Sequence, residues 1–383
     1  MNYKEFKKSL KFRKYKDWKI IIRFLEYKFK NLFIKILVNL NKYKYNSKKI
    51  IDLGSFKDNS YINFFLYSLK DEFIFTYQND ENVTKLFRRI GFFNFFKYTL
   101  PRSNLKNESI IKINMASSKP NQNEGALSID TNYYQYLYDK KNLSNRKNLV
   151  MPYFMYPRIY NSFYKKINII NKPNFNLRIF FSGSIVEEGY GNFYWKKEPE
   201  KFPNRVKTIK SILKEFKSEI FLINSRSDLK TAQFNKKKII FCLHNKVIKK
   251  TSYKLNFKDN FNLLSQSCFN LSCPGVVMPL CHHLIEGIKV GSIPITNCEK
   301  LLIPNLNNDI SLIYSNLDEL IEKFYEALKM EDDRVVYMRS KVQEYYKTNL
   351  SPEVFRKNFK KTILDKKNKI ICCDDHRSVE GML

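Results

Sequence analysis

Short apolar runs alternate with amphipathic stretches through most of the chain after residue 49. The runs Ile50–Leu53, Leu177–Phe181 and Lys238–Leu243 are predominantly apolar, as in strands buried on both faces of a parallel sheet. In Arg205–Phe216, apolar residues recur at spacings of three and four, which predicts an amphipathic helix. This alternation of strand-like and helix-like segments predicts an α/β fold.

The clearest strand–helix–strand unit is Ser267–Thr296, which reads SCFNLSCPGVVMPLCHHLIEGIKVGSIPIT. Proline suits the first turn of its helix and glycine suits the C-terminal cap. The predicted elements are, in order, a strand, a turn, a helix, a cap and a second strand: Cys268–Ser272, Pro274 with Gly275, Pro279–Val290, Gly291 and Ser292–Thr296. Ligands of open α/β sheets bind at the carboxyl ends of the strands. We therefore expect a ligand site at the loop Cys273–Met278 and the start of the helix.

The helix of this unit carries an unusual group of polar side chains. His282 and His283 stand one turn before Glu286, so at least one imidazole shares a helical face with the carboxylate. A carboxylate on an otherwise apolar helix needs a partner. Two interpretations are open: a satisfied ion pair or solvated edge, or a carboxylate that accepts hydrogen bonds from the hydroxyls of a sugar or ribose, with His283 near a phosphate.

The same residues carry a family resemblance. The run S-x-F-x-L-x-x-P-G, followed by x-H-H-L-x-E-G-I-x-x-G-x-I-P-I, resembles the donor-sugar site of exostosin-like glycosyltransferases. The usual form there is roughly S-F-L-x-P-x-G and then S-R-L-x-E-A-I-x-x-G-x-I-P-V, and Glu286, Gly291, Ile293 and Pro294 match it position by position. The resemblance implies a GT-B fold, in which two Rossmann-like domains face a cleft and the C-terminal domain holds the nucleotide-sugar.

The resemblance also implies which residues bind the donor. In the family, the glutamate grips the ribose and a basic residue lies near the diphosphate, roles that fall on Glu286 and His283. His283 stands where arginine is usual, and Gly287 stands where alanine is usual. The run F-F-S-G at the start of the donor domain and a basic residue at the next helix start are further phosphate candidates. The predicted donor-binding residues are Glu286, His283, His282, Gly275, Pro274, Arg205, Ser182, Gly183 and Ser267.

The first half of the chain alternates strands and helices less regularly and is expected to hold the acceptor. Glycosyl transfer needs a base for the acceptor hydroxyl. Asp130 and Glu124 are the predicted catalytic residues, with Asp52 as a further candidate. Glu124 lies in the polar loop Ser117–Gly125. The predicted domains are a basic helical segment at 1–49, a Rossmann-like acceptor domain at 50–165, a nucleotide-sugar domain at 166–348, and a cross-back helix with a tail at 349–383.

The positive charge is concentrated at the front of the chain. The whole sequence has a formal net charge of +32, and residues 1–50 hold 16 Lys/Arg against three acidic residues. Apolar residues within Trp18–Leu40 recur at helical spacings between these basic residues. A basic amphipathic helix of this kind can lie on an anionic membrane surface, pack on its own domain with a solvated basic face, or bind nucleic acid.

Several features are missing from the sequence. It has no apolar run long enough for a transmembrane helix and no signal-peptide pattern. The seven cysteines follow no paired C-x-x-C spacing, so we expect reduced thiols, with Cys372 and Cys373 exposed in a loose tail. The D-x-D motif is lacking, and no metal or cofactor is predicted beyond the nucleotide-sugar substrate.

The sequence therefore predicts a glycosyltransferase that moves a sugar from a nucleotide-sugar to a glycan or lipid-linked acceptor in surface polysaccharide synthesis. Its expected location is the cytoplasm, with an anionic membrane surface on the inner face as a further partner and no nucleic acid. The alternatives are a fucosyltransferase-like GT-B enzyme and a non-enzymatic basic protein that docks on membrane or nucleic acid. An intact donor pocket is the feature that separates the enzymes from the binding protein.

Overall fold

The computed structural model describes residues 49–52, 61–77, 99–101, 110–115, 127–130, 133, 148–190, 203–232, 237–244, 253–275, 279–363 and 369–373. Most of the predicted basic segment at 1–49 therefore lies outside the described residues. The segment Asn82–Phe92, which has a helical pattern in the sequence, and the loop Ser117–Gly125 also lie outside them.

The described strands form two sheets, and every pairing in both sheets is parallel. The strands are β1 Lys49–Asp52, β2 Phe73–Tyr77, β3 Thr99–Pro101, β4 Ile110–Met115, β5 Leu127–Asp130, β6 Leu149–Val150, β7 Ile179–Ser184, β8 Ile220–Leu222, β9 Ile239–His244, β10 Phe269–Ser272, β11 Ile293–Thr296, β12 Leu312–Ile313 and β13 Lys369–Ile371. The first sheet has the order β3-β2-β1-β4-β5-β13-β6, and the second has the order β12-β11-β10-β7-β9-β8. The α/β fold is thereby confirmed.

Helices connect these strands. They are α1 Ile62–Leu69, α2 Pro157–Ser162, α3 Glu187–Tyr190, α4 Arg205–Glu215, α5 Arg226–Ala232, α6 Phe257–Gln266, α7 His282–Val290, α8 Leu317–Lys329, α9 Asp332–Tyr345 and α10 Pro352–Ile363. A π-helical turn, Tyr346–Leu350, links α9 to α10. The buried apolar side chains of both sheets and these helices form one continuous core.

Both sheets are doubly wound, because the chain fills one side of an inner strand first and then crosses to the other side. In the first sheet it moves outward from β1 to β3 before crossing to β4. In the second it goes from β7 to the edge strand β8, returns to β9 beside β7, and then crosses to β10. In the first sheet the direction reverses between β1 and β4, and in the second it reverses between β7 and β10. A crevice opens at such a reversal beyond the carboxyl ends of the two strands, where ligands bind. The strand order therefore predicts one ligand-binding crevice in each sheet.

The carboxyl edges of the two sheets face each other. Tyr133, just after β5, donates from its hydroxyl to the carbonyl of Leu301, which follows β11 (3.0 Å). Tyr153, just after β6, donates to the carbonyl of Leu280, which follows β10 (3.1 Å). Segments that leave the carboxyl ends of one sheet therefore contact segments that leave the carboxyl ends of the other, as in the GT-B arrangement.

The chain crosses back to the first sheet through α10, as the sequence predicts. Phe355 and Phe359 pack on Phe65 of α1, with ring centroids 6.0 and 5.6 Å apart. Beyond this helix, β13 inserts between β5 and β6. Cys372 and Cys373 directly follow this strand and are buried, so the prediction of an exposed thiol pair is wrong. None of the seven cysteines, all of which lie in the described ranges, forms a disulfide bond.

Four local predictions are corrected by the structure. The sequence favours a strand over Leu149–Phe154 followed by a turn at Pro157, but the strand is only two residues long, Leu149–Val150, and Pro157 begins α2. The helix predicted from Pro279 begins at His282, because Pro279 and Leu280 belong to the loop. Ser315 with Asp318 three residues on resembles a capping box, but the N-terminal cap of α8 is Asn316, one residue later, whose side chain accepts from the backbone N–H of Glu319.

Within the described part of the chain, no helix combines the length and the apolar character needed to cross a bilayer.

Candidate functional site

The crevice of the second sheet contains a buried arginine. Arg205 is the first residue of α4, and its N-terminal cap is Asn204, whose side chain accepts a hydrogen bond from Lys207 (2.8 Å). Its Nη1 lies 3.4 Å from the carbonyl oxygen of Ser184, the last residue of β7. Its Nη2 donates to the carbonyl of Pro274, just after β10 (3.0 Å). The guanidinium therefore bridges the two strands at which the winding of the sheet reverses.

The surroundings of Arg205 contain no acidic partner among the described residues. The side chain is only 5% exposed, yet no carboxylate of the described residues pairs with it. Its remaining neighbours are the Cys281 sulfur, 3.4 Å from Nη2, and the Tyr190 ring, whose centroid is 4.1 Å from the guanidinium carbon. Nε has no partner among the described residues. An arginine stays protonated in proteins, so this site holds a positive charge that an anion would stabilise.

Helix α7 begins beside this arginine. Its N-terminal cap is Cys281, which provides no side-chain hydrogen bond to the first turn. The free backbone N–H groups of a helix start attract anions, so they add to the positive potential around Arg205. At the other end, Gly291 adopts φ 81°, as the predicted cap requires. The guanidinium of Arg205 and the start of α7 therefore lie together at the carboxyl edge of the second sheet.

Glu286 lies one turn into α7 and points towards the other half of the chain. It is 7% exposed, and its Oε1 accepts a hydrogen bond from the backbone N–H of Tyr156, at 3.3 Å. Burial raises the pKa of its carboxyl to about 7, and the hydrogen bond from Tyr156 opposes part of that shift. The carboxylate is therefore buried where the two halves meet, which excludes the solvated-edge interpretation.

The two histidines have different environments. The His282 ring stacks on Tyr153, with centroids 5.5 Å apart and 7° between the planes, and its Nδ1 lies 2.8 Å from the carbonyl oxygen of Phe154. His282 therefore joins α7 to the segment after β6. Neither histidine shares an ion pair with Glu286 among the described residues, so that part of the satisfied interpretation also fails.

His283 packs against the rings of Phe180 and Phe181. Burial lowers its pKa to about 4 and Arg205 adds to the effect, so the ring is neutral at physiological pH. Its ring nitrogens make no hydrogen bond of normal geometry with the described residues, although the Leu271 backbone opposes part of the pKa shift. A neutral imidazole can donate one hydrogen bond to a phosphate, but the cation at this edge is Arg205.

The small residues Ser182, Gly183 and Ser184 favour a turn by sequence, but they continue β7 and pair with Cys242, Leu243 and His244 of β9. The sequence likewise favours a loop position for His244, after the predicted strand Lys238–Leu243. In the structure His244 closes β9 next to Ser184, so it too lies at the carboxyl edge. Burial, Lys254 and Arg205 lower its pKa to about 4. The end of β7 therefore places Ser184 next to Arg205.

The remaining predicted donor residues divide into two groups. Pro274 and Gly275 follow β10 at the carboxyl edge, and the backbone N–H of Gly275 donates to the Pro279 carbonyl (3.3 Å). Ser267 lies before β10, at the opposite edge of the sheet, where its hydroxyl contacts the Ser292 hydroxyl (2.8 Å). Ser267 is therefore not brought together with Arg205 and Glu286, and we leave it out of the candidate site.

Two predicted carboxylates close strands of the first sheet. Asp52 ends β1, where the winding reverses; it is 3% exposed and accepts from the Thr76 hydroxyl (3.2 Å). Asp130 ends β5, at the same edge. Glu124 lies outside the described residues. Both described strand ends lie at the edge of the first sheet that faces the edge carrying Arg205 and Glu286.

An open cavity of 410 Å³ lies between the halves, beside the edge strand β6. Amide and hydroxyl side chains line it together with Lys361, and the Tyr133 and Tyr153 side chains form part of its wall. None of the predicted donor residues lines it. Across the described ranges, no three histidine, cysteine, aspartate or glutamate side chains lie together in a way that would hold a metal ion.

Three contributors to the site carry no signal that identifies them from the sequence. Tyr190 supplies the ring against Arg205, Cys281 supplies a sulfur, and Tyr156 supplies the backbone donor to Glu286. Of the three, only Tyr156 lies in a distinctive local pattern, the aromatic-rich run Tyr153–Tyr156 directly before Pro157.

No known family model matches the chain, and no curated protein matches it. Among solved structures, HepE of Anabaena in complex with UDP is similar with a TM-score of 0.37 and 9% identity, over 82% of this chain and 99% of that chain. A UDP-glucosyltransferase from Polygonum tinctorium is similar with a TM-score of 0.36 and 9% identity, over 84% of this chain and 98% of that one.

The N-terminal domain of trehalose-6-phosphate phosphatase from Candida albicans is also similar, with a TM-score of 0.31 and 10% identity, over 88% of this chain and 74% of that one. At TM-scores this low, the likenesses say nothing about the function of this chain.

Proposed function

We propose that this protein is a glycosyltransferase that takes its sugar from a nucleotide-sugar donor. The observation that supports this most directly is Arg205, a buried cation at the crevice of a doubly wound sheet with no described acidic partner. A guanidinium binds phosphate oxygens in a fork and offsets the charge that develops on a diphosphate leaving group. The start of α7 adds backbone donors to the same point.

Glu286 is proposed to hold the ribose of the nucleotide. A buried carboxylate with one described hydrogen-bond donor has acceptor capacity left, since two oxygens offer about four lone-pair sites. Ribose hydroxyls donate to such an acceptor. With Arg205 and Glu286 on the same edge, diphosphate and ribose would be fixed at two points, which matches the roles implied by the exostosin-like resemblance.

The first sheet is proposed to supply the base. The acceptor hydroxyl attacks the anomeric carbon of the donor and passes its proton to a carboxylate. The bond between that carbon and the phosphate oxygen breaks, and the diphosphate leaves with the electron pair. Asp130 and Asp52 are the described candidates for this base, and Glu124 remains a candidate by sequence. The contribution expected from such a base is about 10²–10⁴-fold in rate.

We further propose that the acceptor is a glycan or a lipid-linked glycan in surface polysaccharide synthesis. The cavity beside β6 is lined by asparagine, threonine and tyrosine residues on one hand and by apolar residues on the other, a mixture that suits the hydroxyls and ring faces of a sugar. The basic front of the chain, with 16 Lys/Arg in residues 1–50, supports attachment to the anionic inner face of a membrane. Hexosyl transfer without a metal ion is part of this proposal.

The proposal is tested by measuring the melting temperature of the purified chain with a panel of nucleoside diphosphates and nucleotide-sugars. A ligand that binds only the folded state raises the melting temperature, and a concentration of 100 times Kd adds about 2.7 kcal/mol. At least one nucleotide should give a shift, and Glu286→Gln should remove or strongly reduce it. The proposal is wrong if no nucleotide shifts the wild type.

The choice of base is tested separately, once a donor is known. Asp130→Asn should lower kcat by about 10²–10⁴-fold with little change in the nucleotide Kd, because the base acts on the acceptor. Asp52→Asn is the matched comparison at the neighbouring strand end. Equal activity of the Asp130 variant and the wild type would remove Asp130 from the mechanism, and a selective loss in Asp52→Asn would transfer the role.

A further inference from the structure

Tyr156 has an exposed aromatic ring next to the candidate ribose site. Its side chain is 41% exposed, which is high for a large aromatic residue in this protein. The ring contacts Phe257, with centroids 5.9 Å apart and 45° between the planes, and meets the His282 ring edge-on at 6.0 Å. Phe257 is the first residue of α6 and is itself only partly buried. The two rings form an open aromatic surface at the meeting of the two halves.

The backbone of the same residue fixes the ring beside Glu286. The Tyr156 N–H donates to Glu286 Oε1 at 3.3 Å. Pro157 follows directly and begins α2, so the backbone at Tyr156 is held in an extended conformation, with φ −49° and ψ 128°. The Tyr156 ring is therefore only a few covalent bonds from the backbone nitrogen that donates to Glu286.

The three groups cluster around the first turns of α7. Arg205 contacts Cys281, the cap of this helix, and the Tyr156 ring contacts His282, its first residue. Glu286, one turn on, accepts from the Tyr156 backbone. A nucleoside diphosphate joins its phosphates to its base through the ribose, so a diphosphate at Arg205 and a ribose at Glu286 would leave the base within reach of the Tyr156 ring.

We infer that Tyr156, supported by Phe257, provides the surface on which the nucleobase of the donor stacks. This rests on the proposed function, since it takes the diphosphate and ribose positions from it. Stacking needs only a flat π-face, and every base has one, so this surface supplies affinity for purine and pyrimidine nucleotides alike. The base would be held by the connector from the first half, and the phosphates by the second sheet.

The experiment is isothermal titration of the full chain with UDP, GDP and inorganic pyrophosphate. Tyr156→Ala keeps the backbone N–H that donates to Glu286 but removes the ring. It should weaken the better-bound nucleoside diphosphate by about tenfold or more, the range found for base–aromatic stacking. Pyrophosphate, which has no base, should bind the variant and the wild type equally. Tyr156→Phe should behave as the wild type.

The matched control is Tyr337→Ala, which removes another exposed tyrosine, 46% exposed, from α9. It should leave every affinity unchanged. The inference is overturned if Tyr156→Ala binds the nucleoside diphosphate as tightly as the wild type, or if it loses pyrophosphate to the same extent. Tyr156→Leu, which keeps apolar bulk, tests the same point should the alanine variant unfold. A wild type that binds none of the three ligands would contradict the proposed function itself.

Discussion

Two arginines are buried at opposite edges of the second sheet, and their surroundings differ. Arg339 of α9 lies at the amino edge and is 0% exposed; its guanidinium donates to the carbonyls of Ser267, Ile170, Ser265 and Val290. Arg205 lies at the carboxyl edge and contacts two carbonyls and one thiol. Neither has an acidic partner among the described residues.

The difference shows how one residue type serves two purposes in one sheet. Around Arg339, four carbonyls from four positions of the chain converge on the guanidinium, so its charge is distributed over fixed dipoles and the connector at Ile170 is held in place. Around Arg205 the contacts are fewer, and the neighbouring helix start is a donor rather than an acceptor. The first arrangement stabilises the fold, and the second is the one that we propose binds the diphosphate.

The largest expected effect is on stability at Arg339. Arg339→Met should lower the free energy of unfolding by about 3–5 kcal/mol, because several buried carbonyls lose their partner at about 1–3 kcal/mol each while the removed charge returns part of that cost. Urea denaturation measures it. Arg334→Met, on the same helix but with a side chain 47% exposed and paired with Asp309, should change it by less than about 1 kcal/mol. If Arg339→Met and Arg334→Met lose similar amounts of unfolding free energy, the buried contacts of Arg339 do not stabilise the fold as argued.

The next effect is on binding at Arg205. Arg205→Met should weaken nucleoside diphosphate binding by about 10–150-fold, the range of a lost charge-assisted hydrogen bond, while the free energy of unfolding falls by less than in Arg339→Met, because fewer carbonyls lose a donor. Titration calorimetry and a thermal melt on the same samples separate the two. Lys210→Met, also on α4 but exposed and paired with Glu187, is the control. If Arg205→Met is destabilised but binds the nucleotide as tightly as the wild type, Arg205 stabilises the fold, as Arg339 does, and does not bind the ligand.

The smallest effect is a pH dependence set by Glu286. Its pKa in the free protein is about 7, and ribose hydroxyls that donate to the carboxylate would lower it in the complex. Binding therefore favours the ionised form, so affinity should rise as pH increases from 6 to 8, by about tenfold at most per pH unit. Titrations at both pH values measure this, and Glu286→Gln should lose the part of the slope that comes from the carboxylate. His244 and His283, with pKa values lowered to about 4, do not titrate in this range.

The same carboxylate makes a prediction about stability. Because its pKa is raised from 4.5 to about 7 on folding, the stability it contributes in the protonated form is present at low pH and is lost as pH rises through about 7. Glu286→Gln should therefore stabilise the fold relative to the wild type at pH 8 and have little effect at pH 4. Thermal melts at the two pH values test this; a difference that does not depend on pH would contradict the burial argument.

Local patterns in the sequence predicted the core of the second half well. The β10–α7–β11 unit, the cap at Gly291 and the amphipathic α4 all follow from periodicity and capping residues, which are short-range signals. The departure at Gly287 also has a local physical reason. A Cβ at this position would lie 2.3 Å from the Asn270 side-chain oxygen, so alanine does not fit beside β10.

Predictions that depend on long-range contacts were less successful. The burial of Cys372 and Cys373 follows from β13 pairing with strands more than 200 residues earlier, and no local pattern announces that partner. Ser267 looked like part of a donor motif, but strand direction places it at the wrong edge. Arg205 was one candidate among many surface arginines until its carbonyl partners in two separate strands became visible.

The position of β13 also affects the order in which the protein can form during its synthesis. Strands β7 to β12 and the helices between them are complete once the ribosome has released residue 350, so the second sheet can close while the chain is still growing. The first sheet cannot, because β6 reaches β5 only through a strand translated about 220 residues after it. The half that emerges first is thus the last to mature, and until then its strands β5 and β6 offer unpaired edges that a chaperone or a neighbouring chain could engage.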